Sequence, residues 1–353
     1  MKNYRIQVIA GDGIGVEVTE AAMRVVERAA TLHGFEVSFV EQPWGSHYFF
    51  QNGRMMPANA LEELQGSDAI LLGAVGHPDI PDHVTLHGLL LPIRRSFDLF
   101  ANVRPAVLFD GVESPLRGYP PHEIDMVVVR ENTEGEYAPV GGFVHHHHPQ
   151  EVAVQAAVFT RAGCERVIRY AFDLARRRNK KNRVTSITKS NAQAYSMVLW
   201  DHVFQAVAAE YPDIETESLL VDAGAMNFVR RPHSFDVVVA SNLFGDILSD
   251  LSAIVTGSIG LAASANIDPT RRFPSLFEPV HGSAPDIAGR GIANPLAAIV
   301  SAGMMLDHLG ETHAAFAVDN AIKRVLAAQE VRTPDLGGAN STNDMRDAVL
   351  SHL

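Results

Sequence analysis

A chain of 353 residues, 46% of them hydrophobic, is roughly two domains long and has apolar mass enough to fold without covalent staples. Its single cysteine, Cys164, excludes an intramolecular disulfide framework, and a formal net charge of -12 argues against nonspecific nucleic-acid binding. No apolar run approaches the ~20 residues of a membrane span, and the first residues lead into a strand pattern rather than a signal peptide; the expected setting is the cytoplasm and the expected partner a small molecule.

Short apolar runs alternate with amphipathic stretches, the pattern of an α/β fold with a largely parallel sheet. A strand is predicted over 5–10 and a helix over 15–32, joined by GDGIG at 11–15. That loop falls short of the dinucleotide fingerprint, because Val16 stands where its third glycine belongs. Another strand is predicted over 68–72. Arg94, Arg104 and Arg130 each border an apolar segment, and arginine is suited to bidentate capture of carboxylates; scattered surface salt bridges are the plain alternative. The strand at 124–129 leads to Tyr137, which is either core filler or a source of a phenolic proton.

Residues 138–155 break the alternation with Gly141, Gly142, four consecutive histidines (His145, His146, His147, His148) and alternating Val152 and Val154. The segment reads as a solvated, glycine-flanked hairpin rather than a metal-ligand cluster, and as an arm that could clasp a second subunit. Replacing the four histidines with serine is expected to leave catalysis unchanged. Further strands are predicted at 184–187 and 235–240, with helices at 161–178, 191–210, 246–255, 295–309 and 314–328. Lys189 follows its strand where a helix begins. It is a surface lysine on the plain reading, but near a metal and other cations its pKa would fall and it could act as a base.

Asp246 and Asp250 are four apart in NLFGDILSD at 242–250, directly after the apolar run at 237–240. That spacing puts both carboxylates on one helix face, where they repel unless a cation separates them, and hard oxygen ligands suit Mg2+ or Mn2+. An acidic, solvated helix face is the bland reading. Asp222, at the end of the apolar stretch 218–221, supplies a third carboxylate where α/β proteins place functional groups. Three arginines beside a metal imply a substrate with at least two carboxylates. A second glycine-rich segment, HGSAPDIAG at 281–289 followed by IANP at 292–295, offers backbone donors to a nucleotide. Its Asp286 could accept from both ribose hydroxyls and would repel a 2'-phosphate, which favours NAD over NADP.

These motifs, with RENTEGEY at 130–137, TKSN at 188–191 and EPV preceding the second glycine-rich segment, resemble the β-decarboxylating dehydrogenases, the family of isopropylmalate, isocitrate, homoisocitrate, tartrate and D-malate dehydrogenases. The match runs end to end in the family order. It implies an isopropylmalate dehydrogenase-like two-domain α/β fold with largely parallel sheets, distinct from a standard Rossmann domain. Residues 1–99 plus 253–353 would form a large domain carrying the NAD loop. Residues 100–252 would form a small domain with the metal site, the catalytic residues, the dimer interface and the arm 138–155. The resemblance also implies a homodimer with shared active sites, Lys189 and Asp222 reaching into the partner's site. Arg94, Arg104 and Arg130 would bind the substrate carboxylates, and Asp222, Asp246 and Asp250 the Mg2+ or Mn2+. Lys189 would be the base and Tyr137 the acid that protonates carbon 3. His281, Gly282, Ser283, Ala284, Asp286 and Asn294 would hold NAD. Some members also require a monovalent cation such as K+.

Within that family the segment before Arg94 should set the substrate. Isocitrate enzymes are expected to offer Ser and Asn there for the extra carboxylate, which Leu89, Leu90, Leu91 and Pro92 cannot replace. PDHVTLHG at 81–88, WGSHYFFQNGRMMP at 44–57 and Ser96-Phe97-Asp98 look like the tartrate and D-malate group, although that group tends to carry a tryptophan near His87. Oxidative decarboxylation of D-malate or tartrate is therefore expected, with 3-isopropylmalate as the alternative. Two readings from other classes are a metal-free Rossmann hydride transferase, which leaves three aspartates idle, and a noncatalytic regulatory subunit, which would be expected to lack some of the tyrosine, lysine and aspartates present here.

Overall fold

The computed structural model describes residues 2–353. Twelve strands occur in chain order: β1 (Asn3–Gly11), β2 (Glu36–Glu41), β3 (Ala69–Ala74), β4 (Ala101–Val107), β5 (Asp125–Glu131), β6 (Gly141–Val144), β7 (Val152–Gln155), β8 (Arg183–Thr188), β9 (Glu215–Leu220), β10 (Val237–Ala240), β11 (Ala263–Ile267) and β12 (Ser275–Pro279). Ten form one sheet in the order β2-β1-β3-β12-β11-β4-β5-β10-β8-β9, and β6 and β7 pair apart from it. Six of its nine pairings are parallel; the three antiparallel ones, β12 with β11, β11 with β4 and β4 with β5, are consecutive. Two parallel blocks of opposite sense therefore meet at β11 and β4, and the expected largely parallel α/β architecture is present.

Sequence chemistry explains this division. β3 (AILLGA) and β10 (VVVA) are apolar throughout and buried at every position, as strands covered on both faces must be. β4 and β11 alternate instead. Asn102, Arg104, Ser264 and Asn266 are buried polar residues at even positions, between apolar Ala101, Val103, Ala263 and Ala265. One face of the junction is thus polar and the other apolar. The main core lies beneath helices including Gly15–His33, Arg161–Arg178, Leu296–Leu309 and Thr312–Ala328. A smaller core of Trp44, Met55, Leu64, Leu89 and Ile93 packs on Ile70 and Leu72, the residues of β3 that alternate with Ala69 and Leu71 of the main core. The first helix comes so close to the sheet that a Cβ on Gly15 would sit 2.4 Å from the Ala10 carbonyl oxygen.

Local signals move several predicted boundaries. The strand expected over 124–129 continues through Arg130 to Glu131, so Arg130 is held by the sheet. The helix expected from Asp246 begins at Asn242, one residue after extended Ser241. The one expected over 191–210 shortens to Ser196–Ala208, because Ala192 and Gln193 both donate to the Lys189 carbonyl in a turn. Asp222 lies in the first turn of a helix, Val221–Arg230, rather than at a strand end. The histidine segment is the tip of the exposed β6–β7 hairpin, where His146 pairs with Glu151. Among the described residues, no helix is long and apolar enough to cross a membrane.

Trp200 is fully buried and its indole N–H donates to Ser186 at 2.9 Å. Trp200→Ala is expected to cost about 3–5 kcal/mol through cavity formation, visible as a lower denaturant midpoint with Trp44 as the remaining fluorophore.

Candidate active site

The polar face of the β4–β11 junction opens into a cleft of about 190 Å3 lined by Arg94, Arg104, Arg130, Tyr137, Asp246 and Glu278. Arg104 comes from β4, Arg130 from β5 and Glu278 from β12, while Arg94 stands on the short helix Leu91–Ser96. Just before that helix the chain forms a π-helical turn, Leu86–Leu90, of the kind often found where function needs a side chain re-aimed. Leu86, Leu90 and Arg94 recur at intervals of four, and all three line the cleft.

Asp246 is the hub. Its Oδ1 accepts from Arg130 and, at 3.3 Å, from Arg104, while its Oδ2 accepts from the Tyr137 hydroxyl at 2.8 Å. Arg104 also donates to Ser249 Oγ at 2.7 Å and lies 3.6 Å from Asp250. Arg130 donates through Nε and Nη2 to Asn242 Oδ1 at 3.1 and 2.7 Å. Arg94 pairs with Glu278 at 2.6 Å, both nearly inaccessible to solvent, and Glu278 accepts from Asn266 at 2.9 Å. Behind it, Asn102 and Asn132 both donate to Asn266 Oδ1. Buried polar groups thus tie β4, β11 and β12 to the cleft.

Electrostatics assigns protons. Burial, followed by the neighbouring guanidinium of Arg104, pulls Arg130 down to about 9, so it remains charged at neutral pH. Tyr137 is pushed up to about 12, first by burial and then by the Asp246 carboxylate, and therefore holds its proton. Burial disfavours ionised Asp246, but Arg130 and Arg104 outweigh it and its carboxyl sits below the usual range. Burial raises Asp250 despite Arg104.

Three arginines, Tyr137, Asp246, His281 and Gly282 therefore share one cleft. A neighbouring crevice shares Gly282 and is lined by Ser283 and Ala284. GDGIG joins this loop, because the Ile14 N–H donates to the Ser283 carbonyl at 2.9 Å. His281 is buried, which lowers its pKa, and its Nε2 has no partner. Such an orphaned donor or acceptor fits a cofactor contact. Asp286 is exposed, and Asn294 is buried with its amide donating to Asp335 at 2.9 Å. Lys189 and Asp222 pair with each other away from the arginine cluster. Among the described residues, no three His, Cys, Asp or Glu side chains gather in one chain as a metal cage. The cation that lies between Asp246 and Asp250 in this chain is Arg104.

Several supporting residues escaped the sequence reading. Glu136 accepts from Ser241 Oγ at 2.8 Å and from the Leu243 N–H at 3.1 Å, placing its charge at the start of the helix that carries Asp246. Glu278 and Asn242 stand at the first positions of two of the motifs, and those positions were the available signal.

The model of the isocitrate/isopropylmalate dehydrogenase family matches residues 5–349. The chain belongs to that family. It is 51% identical to a D-malate dehydrogenase (decarboxylating) of Escherichia coli strain K12 over 99% of this chain and 98% of that protein. It is 50% identical to a tartrate dehydrogenase/decarboxylase of Pseudomonas putida, with the same coverage, and 49% identical to a probable tartrate dehydrogenase/decarboxylase of Agrobacterium vitis over 100% of this chain and 98% of that protein. The crystal structure of isocitrate dehydrogenase from Methylococcus capsulatus superposes with a TM-score of 0.90 at 38% identity, covering 99% of both chains. In this member of the dehydrogenase family the largely parallel α/β fold is the one the resemblance implied.

The depressed carboxyl of Asp246 has a signed consequence. Its contribution to stability is complete above the unfolded-state value of ~3.9 and is lost as pH falls through the lower folded value. Wild type is therefore expected to lose stability more steeply than Asp246→Asn on acidification below about pH 5, measured by denaturant unfolding across pH.

Proposed function

We propose that this chain catalyses the NAD- and Mg2+- or Mn2+-dependent oxidative decarboxylation of a small 2-hydroxy dicarboxylate, D-malate or tartrate. The observation that carries the reading is the cleft itself: three buried guanidiniums converge beside a phenol that keeps its proton. The Nε atoms of Arg94 and Arg104 are buried without partners, as donors awaiting an anionic ligand would be. The full-length likeness to enzymes named for D-malate and tartrate, together with a cleft of about 190 Å3, favours a compact four-carbon substrate. The apolar wall of Leu86, Leu90 and Leu91 is what would favour 3-isopropylmalate instead.

In this reading Arg94, Arg104 and Arg130 grip the carboxylates and fix carbon 2 and carbon 3 in register. Lys189 takes the proton of the carbon 2 hydroxyl. When the carboxylate on carbon 3 leaves as CO2, its bonding electrons stay on carbon 3, and Tyr137 Oη delivers the proton that completes it. Asp246, hydrogen bonded to that hydroxyl, orients it. His281, with its orphaned nitrogen, and Gly282, Ser283, Ala284, Asp286 and Asn294 would hold NAD. Asp246 and Asp250 offer hard oxygen donors for the metal, with Asp222 as the third. When bound, NAD would accept the hydride from carbon 2 and the metal would polarise the substrate's carbon 2 oxygen.

Lys189 and Asp222 meet that cleft only if a second copy supplies them. Helices Val221–Arg230 and Asn242–Val255 present an apolar face to solvent, with Met226 63%, Ile247 57% and Ile254 48% exposed. A self-complementary pairing of that face gives a homodimer with shared sites. The division into domains 1–99 plus 253–353 and 100–252 belongs to the same reading.

Initial rates of NADH formation with Mn2+ and K+ on D-malate, L-tartrate, meso-tartrate, 3-isopropylmalate and isocitrate test it. The highest kcat/KM is expected on D-malate or a tartrate, abolished by EDTA, with Tyr137→Phe lowering kcat about 10²-fold or more. A preference for 3-isopropylmalate would move the substrate assignment to the leucine wall. Mixing inactive Tyr137→Phe and Lys189→Ala subunits, with exchange, is expected to restore about a quarter of wild-type activity, because each mixed dimer rebuilds one complete site. No recovery despite proven exchange would refute shared sites.

A further inference from the structure

The apolar face of the β4–β11 junction carries a second and larger crevice, about 720 Å3, behind the substrate cleft. Val103 of β4 lines it, whereas the next residue, Arg104, lines the cleft; Ala265 and Ile267 of β11 line it, whereas Asn266 between them bonds to Glu278 on the cleft side. The two cavities thus lie back to back across the same two strands. One wall is the helix Arg161–Arg178, from the middle of the chain; the other is formed by the helices Leu296–Leu309 and Thr312–Ala328.

The lining is amphipathic. Met304 and Phe316, the latter 66% exposed, supply apolar surface. Arg177 and Arg271, both exposed, have no carboxylate within 4.0 Å; Arg177 lies over the Tyr170 ring at 5.4 Å, close enough to its hydroxyl to favour the ionised phenol. The ring nitrogens of His308 have no partner among the described residues, and burial followed by Arg271 pulls His308 down to about 4, leaving it neutral. Asp319 is neutralised by Lys323, Asp307 is the crevice's remaining unpaired acid, and burial raises the Tyr170 phenol against the pull of Arg177. Unpaired guanidiniums around an apolar pocket match an acid head group on an apolar body.

We propose that this crevice is a second small-molecule site, taking an amphipathic organic anion, and that its occupancy is coupled to the substrate cleft across the sheet. The coupling clause rests on the function proposed above; the binding clause does not. The coupling inferred is mechanical: because the cavities lie back to back, a rocking of the two helical walls about β4 and β11 would narrow one as it widens the other. An occupant wedged in the rear crevice opposes its narrowing and so opposes opening of the substrate cleft, which predicts a lower substrate KM.

The probe is 8-anilinonaphthalene-1-sulfonate, an aromatic anion whose fluorescence rises in apolar sites. Two variants report on the crevice. Gly303→Leu places bulk into it from a position where an added Cβ makes only an ordinary contact with Val318, at 3.6 Å. Arg177→Ala/Arg271→Gly removes both cations, and glycine suits the positive φ of 54° at position 271. Each is expected to weaken probe binding about tenfold or more, with folding confirmed by circular dichroism. Unchanged affinity in either folded variant overturns the site. Saturating probe should lower the KM for D-malate in wild type and leave Gly303→Leu unaffected, with NADH quantified chromatographically; an unchanged wild-type KM overturns the coupling. If wild type turns over no hydroxy dicarboxylate, the functional reading fails while the binding result still decides the site.

Discussion

Three guanidiniums at one end of one sheet are the constraint to which the rest of the site answers. Burial and repulsion from neighbouring guanidiniums both oppose the charge of Arg104 and Arg130, and the shift of Arg130 shows the two effects acting together. The fold offsets them with fixed acceptors: Glu278 on Arg94, Asn242 and Asp246 on Arg130, Ser249 and Asp246 on Arg104. Each of these acceptors comes from a sheet strand or from the helix Asn242–Val255, so the arginines have partners in place before any ligand arrives.

The same arrangement sets the chemistry of Tyr137. An isolated phenol beside cations would lose its proton more readily, and Arg130 and Arg104 do pull in that direction. Burial and the Asp246 carboxylate win, so the hydroxyl stays protonated and is oriented by the carboxylate that also neutralises the arginines. One aspartate thus makes the cationic pocket tolerable and keeps the Tyr137 phenol protonated. This also corrects the simplest argument from spacing. Two carboxylates one turn apart do need a cation, but within one chain a guanidinium already stands between them, so spacing alone does not establish a metal.

How legible the site was depended on whether a role lay in local sequence. Elements with continuous apolar runs or uninterrupted 3.6-residue periodicity, such as β10 and the helix Arg161–Arg178, could be placed from sequence almost to the residue. β4 and β11 could not, because their buried Asn102, Arg104, Ser264 and Asn266 break the apolar pattern that marks a buried strand; Arg104 lines the cleft and the other three form the hydrogen-bonded network behind it. Arg94, Arg104, Arg130 and Tyr137 lie on separate segments, brought together by the pairing of β4 with β5, the packing of the Asn242–Val255 helix and the ion pair of Arg94 with Glu278 of β12. The π-turn at Leu86–Leu90 had no sequence signal, since leucines suit an ordinary helix equally well. Asp222 was misplaced by two residues of structure: the strand before it ends at Leu220 and a helix begins at once, although the apolar run continues through Val221.

Alternation along two strands gives the sheet junction its wider importance. Where parallel blocks meet in opposite sense, β4 and β11 are each flanked by antiparallel neighbours, and both their faces lie at the seam between the chain-end and mid-chain halves of the sheet. A charged cleft requires polar residues on one face, and the period of two then assigns the other face to apolar ones. A cavity on each side follows wherever the flanking helices do not close over the seam. Arg94 and Glu278 on one side and Arg104 and Arg130 on the other are joined through these strands, and the same strands back the rear crevice.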